Sequence, residues 1–355
     1  MEFLLFCGAG NSLAKQEIEA RLGKSLELFP NIYQISFESE DQAKEKVSLL
    51  GSSIKLASLC PNVSANPESI SQIIDSKNFS VTVLGESASN PALNQETKDF
   101  LEKGRFILGN DAHGLSPIHL TKHKVNEFFF DSKQDQVWKT VWVHNYNLWI
   151  KKDRFMPYAN AKAGMLPPKI ARSMINLAPS SFWGEGKTLA DPFCGSGRVL
   201  VEAGELGFKL IGADILKSQC SQTSENLAFV GFKGEITCLD STHLSQKYRN
   251  EIDLIVTEPF MGKPNPREDK IKYMVPGLEK LYLGCLKDWY NCLKPNGVVV
   301  MVFPCFFDGK RDYKTSKIID EKLSLSYNQL NQGVLYSRPG AVLRREFIVL
   351  QKKSK

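Results

Sequence analysis

The clearest chemical signal in this sequence is a run of seven residues, Asp191-Pro192-Phe193-Cys194-Gly195-Ser196-Gly197. A predicted strand (188–191) leads into the run, and a predicted helix (197–206) follows it. Glycines in such a turn let the backbone pass close to a ligand, and the first N–H groups of the helix are available to bind it. A nicotinamide dinucleotide site would require Gly-x-Gly-x-x-Gly. The acid at this strand end instead suits a ligand with a cationic amino-acid end.

Two further acids end the next two predicted strands. Asp214 closes strand 210–214, 23 residues after Asp191, where a carboxylate can accept hydrogen bonds from both hydroxyls of a ribose. Asp240 closes strand 236–240, where it can accept from an adenine amino group. One such acid alone is equally compatible with an ordinary loop, but three in succession beside a glycine turn favour a binding site.

A second motif, Glu258-Pro259-Phe260, follows the fourth predicted strand of this region, 254–258. The Glu258 carboxylate and the backbone carbonyl next to Pro259 can accept the two hydrogens of an aromatic amine. Phe260 can stack on a base that has been swung out of its helix. The three residues are therefore predicted to be catalytic, and the structural alternative is an acid at a strand end before a turn.

The elements around these motifs are typical of a parallel sheet, because strands alternate with helices after residue 177. The remaining elements predicted there are helices at 166–178, 217–230 and 278–293, a turn at 295–297, a strand at 298–303, and an antiparallel hairpin of 333–338 with 344–350. The N-terminal part is of α+β type. Its predicted strands are 3–7, 32–37, 53–57, 79–84, 104–109 and 140–143, and its predicted helices are 12–22 and 41–50.

The two motifs resemble those of the amino-methyltransferases, which modify base nitrogens in DNA and RNA. The seven-residue run is similar to their motif I. The tripeptide is similar to their Asp/Asn-Pro-Pro-Tyr/Phe motif, with Glu258 in place of Asp or Asn and one proline missing. Residues 149–171 resemble the linker and motif X of the tRNA guanine-N2 methyltransferases that act on guanosine-10. Tyr336-Ser337-Arg338-Pro339, followed by Arg344-Arg345, resembles the closing hairpin of the same group.

This resemblance implies an α/β fold class. A Rossmann-like S-adenosylmethionine methyltransferase domain, with a parallel sheet and a closing antiparallel hairpin, is expected after α+β N-terminal and THUMP-like domains. The expected domains are a small α+β domain (1–65), a THUMP-like RNA-binding domain (66–147), a linker (148–165) and the methyltransferase domain (166–355). The implied activity is tRNA guanine-N2 methylation by direct methyl transfer, with no covalent cysteine.

The resemblance also implies where ligands bind. The expected cofactor-binding residues are Gly164, Met165, Leu166, Asp191, Pro192, Phe193, Gly195, Gly197, Asp214, Ile215, Asp240 and Ser241. The candidates for RNA phosphate contacts are Lys263, Lys272, Arg338 and Arg344, each of which is equally compatible with ordinary solvated surface.

Composition limits the partners. The 355 residues have a net charge of +6, unevenly shared. Residues 1–150 hold 14 Lys and Arg against 18 Asp and Glu, a net of −4, whereas residues 151–355 hold 31 against 21, a net of +10. A basic half is compatible with tRNA. Eight scattered cysteines without a Cys-x-x-Cys pair indicate reduced thiols in a cytoplasmic protein. Neither a metal site nor a membrane span is expected.

Two other functions stay open. A DNA adenine-N6 or cytosine-N4 methyltransferase would use the same two motifs. An RNA-binding module whose methyltransferase half has decayed would explain the altered Glu-Pro-Phe tripeptide. The sequence also leaves open which nucleotide is modified, whether one or two methyl groups are added, and whether a small activator subunit is needed.

Overall fold

The structure is a computed structural model that describes residues 1–8, 10–86, 88–109, 111–159, 165–183, 186–263, 266–337 and 340–354. The chain divides into two compact units, Met1–Leu148 and Trp149–Lys355. Within the described residues, no helix is both long enough and apolar enough to cross a membrane.

The N-terminal unit is built of short helices and strands. They are β1 (Glu2–Cys7), α1 (Ala14–Leu22), β2 (Leu26–Phe29), β3 (Ile32–Ser36), α2 (Glu40–Ser48), β4 (Ser53–Leu59), α3 (Pro67–Ser71), β5 (Asn78–Val83), α4 (Pro91–Asp99), β6 (Arg105–Phe106), α5 (Pro117–His123), β7 (Val125–Asp131) and β8 (Gln136–Val143).

In the described residues these strands form one sheet in the order β2-β3-β1-β4-β8-β7-β5-β6. The side chains of the interior strand β1 point alternately to the two faces of the sheet, and on both faces they are buried. Phe3 and Leu5 pack into one cluster, and Leu4 and Phe6 pack with Trp138 into another. The pairing of β4 with β8 joins strands from the two predicted domains, 1–65 and 66–147, in the same sheet. The border between those domains remains a prediction.

A buried ion pair links β4 to β7 inside this unit. Lys55 Nζ lies 2.8 Å and 2.9 Å from the two carboxylate oxygens of Glu127, and neither side chain is more than 1% exposed. Glu127 also accepts hydrogen bonds from the backbone N–H of Leu115 and the hydroxyl of Thr140. Burying a charge is costly unless it is paired and hydrogen-bonded, and here both carboxylate oxygens are bonded.

The C-terminal unit has longer elements. They are α6 (Tyr146–Arg154), which begins just before the unit border, α7 (Pro168–Asn176), β9 (Thr188–Asp191), α8 (Arg198–Glu205), β10 (Lys209–Asp214), α9 (Lys217–Phe229), β11 (Glu235–Cys238), β12 (Ile252–Thr257), α10 (Glu268–Cys292), β13 (Leu293–Phe307), β14 (Asp312–Lys314), β15 (Tyr327–Gln329), β16 (Val334–Tyr336) and β17 (Leu343–Lys352). Short 3-10 helices cover Ser180–Phe182, Ser241–Gln246 and Thr315–Lys317, and a π-helix covers Ile319–Leu323.

The second sheet has the order β11-β10-β9-β12-β13-β17-β15, with β14 and β16 paired at its side. The strands from β11 to β13 are parallel, and β17 is antiparallel to β13. The chain runs outward from β9 to β11 and then returns to the other side of β9 as β12. Ligands bind at such a reversal of strand order, outside the carboxyl ends of the strands. The predicted Rossmann-like fold and the β16–β17 hairpin are confirmed.

The structure corrects three local predictions. The first part of the predicted linker is helix α6. Its Lys152 is buried, with Nζ 2.9 Å from Glu202 and 3.0 Å from Glu205. Those acids stand 50 and 53 residues further along the chain, so local composition could not reveal them.

The other two corrections concern helix α10 and the strand that follows it, β13. Helix α10 begins at Glu268 rather than at residue 278 and continues through Pro276, because Ile271 and Val275 are buried on its apolar face. The predicted turn at 295–297 lies inside β13. Leu293 pairs with Ile252 and Val298 pairs with Leu254, so the residues between them form a bulge.

Candidate active site at the edge of the parallel sheet

The acids singled out in the sequence meet at one edge of the sheet. Asp191 is the last residue of β9, Asp214 is the last residue of β10, and Glu258 follows the last residue of β12. In the sheet register Asp191 lies opposite Gly212, so Asp214 extends two residues beyond it. Because these parallel strands all end at the same edge, three carboxylates from distant parts of the chain are brought to one edge of the sheet.

The turn after β9 requires glycine. Gly195 and Gly197 have φ values of 55° and 85°, in the left-handed region that favours residues without a Cβ. A Cβ at Gly197 would also lie 3.0 Å from the Thr223 side chain. Thr223 donates a hydrogen bond to the carbonyl of Gly195 at 2.7 Å. The Gly195 N–H donates to Asp214 at 3.1 Å, so the turn is fastened to the end of the neighbouring strand.

Asp191 is buried, with an exposed fraction of 2%. Its Oδ1 accepts hydrogen bonds from the Thr257 hydroxyl at 2.6 Å and the Phe193 N–H at 3.1 Å. Its pKa is raised to about 7, mainly by burial and in smaller part by the nearby carboxylates of Asp214 and Glu258, while the two hydrogen bonds act in the opposite direction. A cationic ligand beside Asp191 would therefore stabilise its ionised form.

Asp214 lies beside exposed apolar residues. It accepts hydrogen bonds from the N–H groups of Gly195 and Leu216, at 3.1 Å and 2.9 Å. The following side chains, Ile215 and Leu216, are 66% and 56% exposed. A polar acceptor next to an uncovered apolar surface suits a ligand with a sugar and a flat ring.

Asp240 differs from its prediction as a strand end, because β11 stops at Cys238. It caps the short helix Ser241–Gln246 and accepts hydrogen bonds from the N–H and hydroxyl of Thr242, both at 2.8 Å, which lower its pKa. The buried Ser241 hydroxyl donates to the carbonyl of Pro192. This contact ties the helix to the seven-residue run.

One cavity of about 170 Å³ is lined by the catalytic candidate Glu258 and by some of the cofactor candidates, whereas Pro192, Gly197, Asp214, Ile215, Asp240 and Ser241 are not in its lining. Its lining residues are Met165, Leu166, Asp191, Phe193, Cys194, Gly195, Ser196, Arg198, Val199 and Glu258. Sequence reasoning missed Arg198, which stands at the start of α8, directly after the glycine turn. Burial raises the pKa of the Cys194 thiol, which suits a packed side chain rather than a nucleophile. Gly164, also expected in this pocket, lies outside the described residues.

Glu258 is held by an arginine from the far end of the chain. Arg345 Nε donates to Glu258 Oε1 at 2.5 Å, and the two side chains are 17% and 18% exposed. Burial raises the pKa of Glu258, and the Arg345 guanidinium acts in the opposite direction. The sequence shows Arg345 within the closing hairpin, but its partner lies 87 residues away, so local patterns give no signal of this pair.

In the rest of the tripeptide the backbone is held by a hydrogen bond, whereas the Phe260 ring is exposed to solvent. Pro259 is buried, and the carbonyl of Phe260 accepts a hydrogen bond from the Tyr282 hydroxyl at 2.7 Å. Tyr282 itself is fully buried. The Phe260 ring is 62% exposed, so it is available to stack on a flat ligand.

The predicted RNA contacts lie in different surroundings. Lys263 and Lys272 are exposed, with the Lys272 ammonium 4.9 Å from the ring centroid of Tyr273. Arg344 pairs with Asp312 at 3.2 Å. Arg338 lies outside the described residues. In the part of the chain that the structure describes, His, Cys, Asp and Glu side chains form no group of three or more that could hold a metal ion.

Comparisons with known proteins agree with this architecture. Residues 158–305 match the family model described as UPF0020, RMKL-like methyltransferase domain, and residues 87–225 match a model described as DNA methylase. The tRNA (guanine(10)-N2)-dimethyltransferase of Methanothermobacter thermautotrophicus is 33% identical over 165 residues, which is 46% of this chain and 44% of that protein. The enzyme of the same name from Pyrococcus abyssi is 26% identical over 190 residues, 53% of this chain and 50% of that protein. This chain thus spans about half the length of these relatives.

The crystal structure of TrmN from Thermus thermophilus superposes with a TM-score of 0.58 at 16% identity, covering 99% of this chain and 100% of that one. The strand order and this superposition show that the C-terminal unit has a Rossmann-like fold. Within that class, residues 158–305 match the RMKL-like methyltransferase domain, and the predicted resemblance to the tRNA guanine-N2 methyltransferases is confirmed.

Proposed function

We propose that this chain methylates the exocyclic N2 amine of a guanosine in tRNA, at position 10 as the names of its relatives state. The observation that carries the proposal is the shared cavity. It places the buried acid Asp191, suited to a cationic cofactor, and Glu258, suited to an aromatic amine, against the same space at the ends of adjacent parallel strands.

The cofactor that fits this pocket is S-adenosylmethionine, which supplies a methyl group on a positively charged sulfur. Asp191 would stabilise the cationic amino-acid end, and Asp214 would accept from the ribose hydroxyls. Met165 and Leu166 contribute apolar side chains to the lining of the cavity. Asp240 would accept a hydrogen bond from the adenine amino group. The raised pKa of Asp191 supports this assignment, because a cation restores its ionised form.

The catalytic work would be orientation and placement of charge. Glu258 and the carbonyl next to Pro259 would accept the two amine hydrogens, while Phe260 stacks on the base. When bound, the cofactor would supply the methyl group to the nitrogen that Glu258 and this carbonyl orient. Glu258 would then take up the proton that the nitrogen releases. Burial raises the pKa of Glu258 and so favours this uptake.

Both halves of the chain would contribute to binding tRNA. By resemblance, residues 66–147 would be a THUMP-like domain that holds the acceptor end of tRNA. The net charge of +10 in residues 151–355 would favour the phosphate backbone near the site. The protein would work in the cytoplasm.

A second candidate function has one specific observation in its favour. The family model that matches residues 87–225 is described as DNA methylase. A DNA adenine-N6 or cytosine-N4 methyltransferase would also use an acid and an aromatic ring at the end of the fourth strand.

One experiment separates the candidates. The full chain is incubated with tritiated S-adenosylmethionine and either total tRNA or duplex DNA, and labelled nucleosides are identified by mass spectrometry. We expect label in tRNA, as N2-methylguanosine or its dimethyl form. Label in DNA would overturn the proposal in favour of the second candidate. A lack of label together with no heat of cofactor binding in calorimetry would indicate a decayed enzyme.

A further inference from the structure

The contact between Arg345 and Glu258 bears on which base the site accepts. Arg345 lies on β17, opposite Pro304 of β13, in a run of nine paired positions, 298–306. Its other neighbour is Tyr336 of β16. The backbone that carries the guanidinium is thus held between two strands, and its Nε–H engages one oxygen of Glu258 at 2.5 Å. A charge-assisted hydrogen bond of this length fixes the direction of the carboxylate.

An ionised carboxylate is an acceptor at both oxygens, and the three amino-bearing bases differ in what they offer it. Guanine presents two donors side by side, its N2 amine and its N1–H. Adenine and cytosine present an amine beside a ring nitrogen that is itself an acceptor. A carboxylate that receives the amine of adenine or cytosine therefore faces a second lone pair, which is repulsive and leaves a buried acceptor unsatisfied.

We propose that Glu258 and Arg345 together select guanine, with Glu258 accepting from both N2–H and N1–H and Arg345 as the positioning residue that keeps Glu258 ionised and aimed. This inference rests on the proposed function and adds the basis of its base specificity. It also gives a physical reason for a glutamate with an arginine partner at a position where the related motif has Asp or Asn.

The first test removes N1–H and keeps the amine. Two tRNA transcripts are compared, one with guanosine and one with 2-aminopurine at position 10, with single-turnover methylation as the readout. We expect guanosine to react at least about 100-fold faster, because a site built to receive a hydrogen bond rejects analogues that lack the donor. Equal rates on the two transcripts would overturn the inference. No methylation of the guanosine transcript would instead count against the proposed function.

The second test changes the acceptor. In Glu258→Gln the carboxamide can donate to the N1 of 2-aminopurine, so we expect the guanosine to 2-aminopurine rate ratio to fall by at least about tenfold. An unchanged ratio would show that Glu258 does not read this edge. Calorimetry with S-adenosylmethionine shows whether each variant is folded and binds the cofactor.

The third test concerns Arg345. Loss of its charge raises the pKa of Glu258, so Arg345→Gln should move the acid limb of the pH–rate profile to higher pH and lose most activity at low pH. Arg345→Lys should restore much of the wild-type profile. Arg311→Gln, which removes an exposed cation elsewhere in the same unit, is the matched control and should leave the profile unchanged. An equal loss at every pH would mean that Arg345 is only structural, and would overturn its assigned role.

Discussion

Two buried carboxylates, Glu127 in the N-terminal unit and Asp191 in the C-terminal unit, have opposite electrostatic surroundings. In the N-terminal unit Glu127 is fully buried, and both its oxygens receive hydrogen bonds from the Lys55 ammonium. In the C-terminal unit Asp191 is also buried, but its hydrogen bonds come from a hydroxyl and a backbone N–H. The charged neighbours that shift its pKa are the acids Asp214 and Glu258. A buried charge that is paired with an opposite charge is part of the structure of the fold. A buried charge without such a partner indicates a site for a ligand of opposite charge.

The largest effect is expected at the compensated pair. Glu127→Ala leaves the Lys55 ammonium buried without its partner, which should lower the free energy of unfolding by about 3–5 kcal/mol. Urea denaturation followed by circular dichroism measures it, with Glu45→Ala at an exposed site as control. The double variant Lys55→Met/Glu127→Leu should recover most of the loss. A loss below about 1 kcal/mol in Glu127→Ala would mean that the pair is not compensated as described.

A smaller effect of opposite sign is expected at Asp191. Its pKa rises from 3.8 to about 7 on folding, so ionisation opposes folding above that range. Asp191→Asn should therefore stabilise the free protein by at most about 4 kcal/mol near pH 8, and the gain should disappear as the pH falls from about 7 towards 3.8.

The same substitution should abolish binding of S-adenosylmethionine, because the amide cannot stabilise a cation. In the wild type the affinity for this cofactor should weaken below pH 7. Denaturation at two pH values and calorimetry check both points. A destabilised Asp191→Asn variant with intact cofactor binding would remove the contrast between Asp191 and Glu127.

The smallest effect is expected at an exposed pair. Arg344 contacts Asp312 with exposed fractions of 27% and 35%, so Arg344→Gln should cost less than about 1 kcal/mol of stability. If Arg344 contacts a phosphate, the variant should bind tRNA more weakly and lower the slope of log affinity against log salt by about one. Filter binding at several salt concentrations measures the slope. An unchanged slope would remove Arg344 from the RNA contacts.

The elements predicted most accurately are those whose ends are marked by neighbouring residues in the sequence. Strand β9 has the predicted bounds, since the apolar residues before Asp191 and the glycine turn after it define both ends. Strands β2 and β7 were missed. Helix α6 was missed because its basic residues are typical of a linker, while the acids that neutralise Lys152 lie on α8.

The site was predicted in part for the same reason. Asp191, Gly195 and Glu258 stand in recognisable motifs, and the structure brings all three to one cavity. Arg198 and Arg345 were not assigned to it. The contact of Arg345 depends on the pairing of β17 with β13, which is a property of the folded sheet and not of neighbouring residues.

The single sheet of the N-terminal unit sets the order in which it can form during synthesis. Strand β4 lies in the interior, between β1 and β8, although β8 is made about 80 residues later. Until β8 has left the ribosome, β4 carries an open row of N–H and C=O groups, which invites pairing with other chains. The sheet in the first half of this protein can therefore be completed only after β8 has been made.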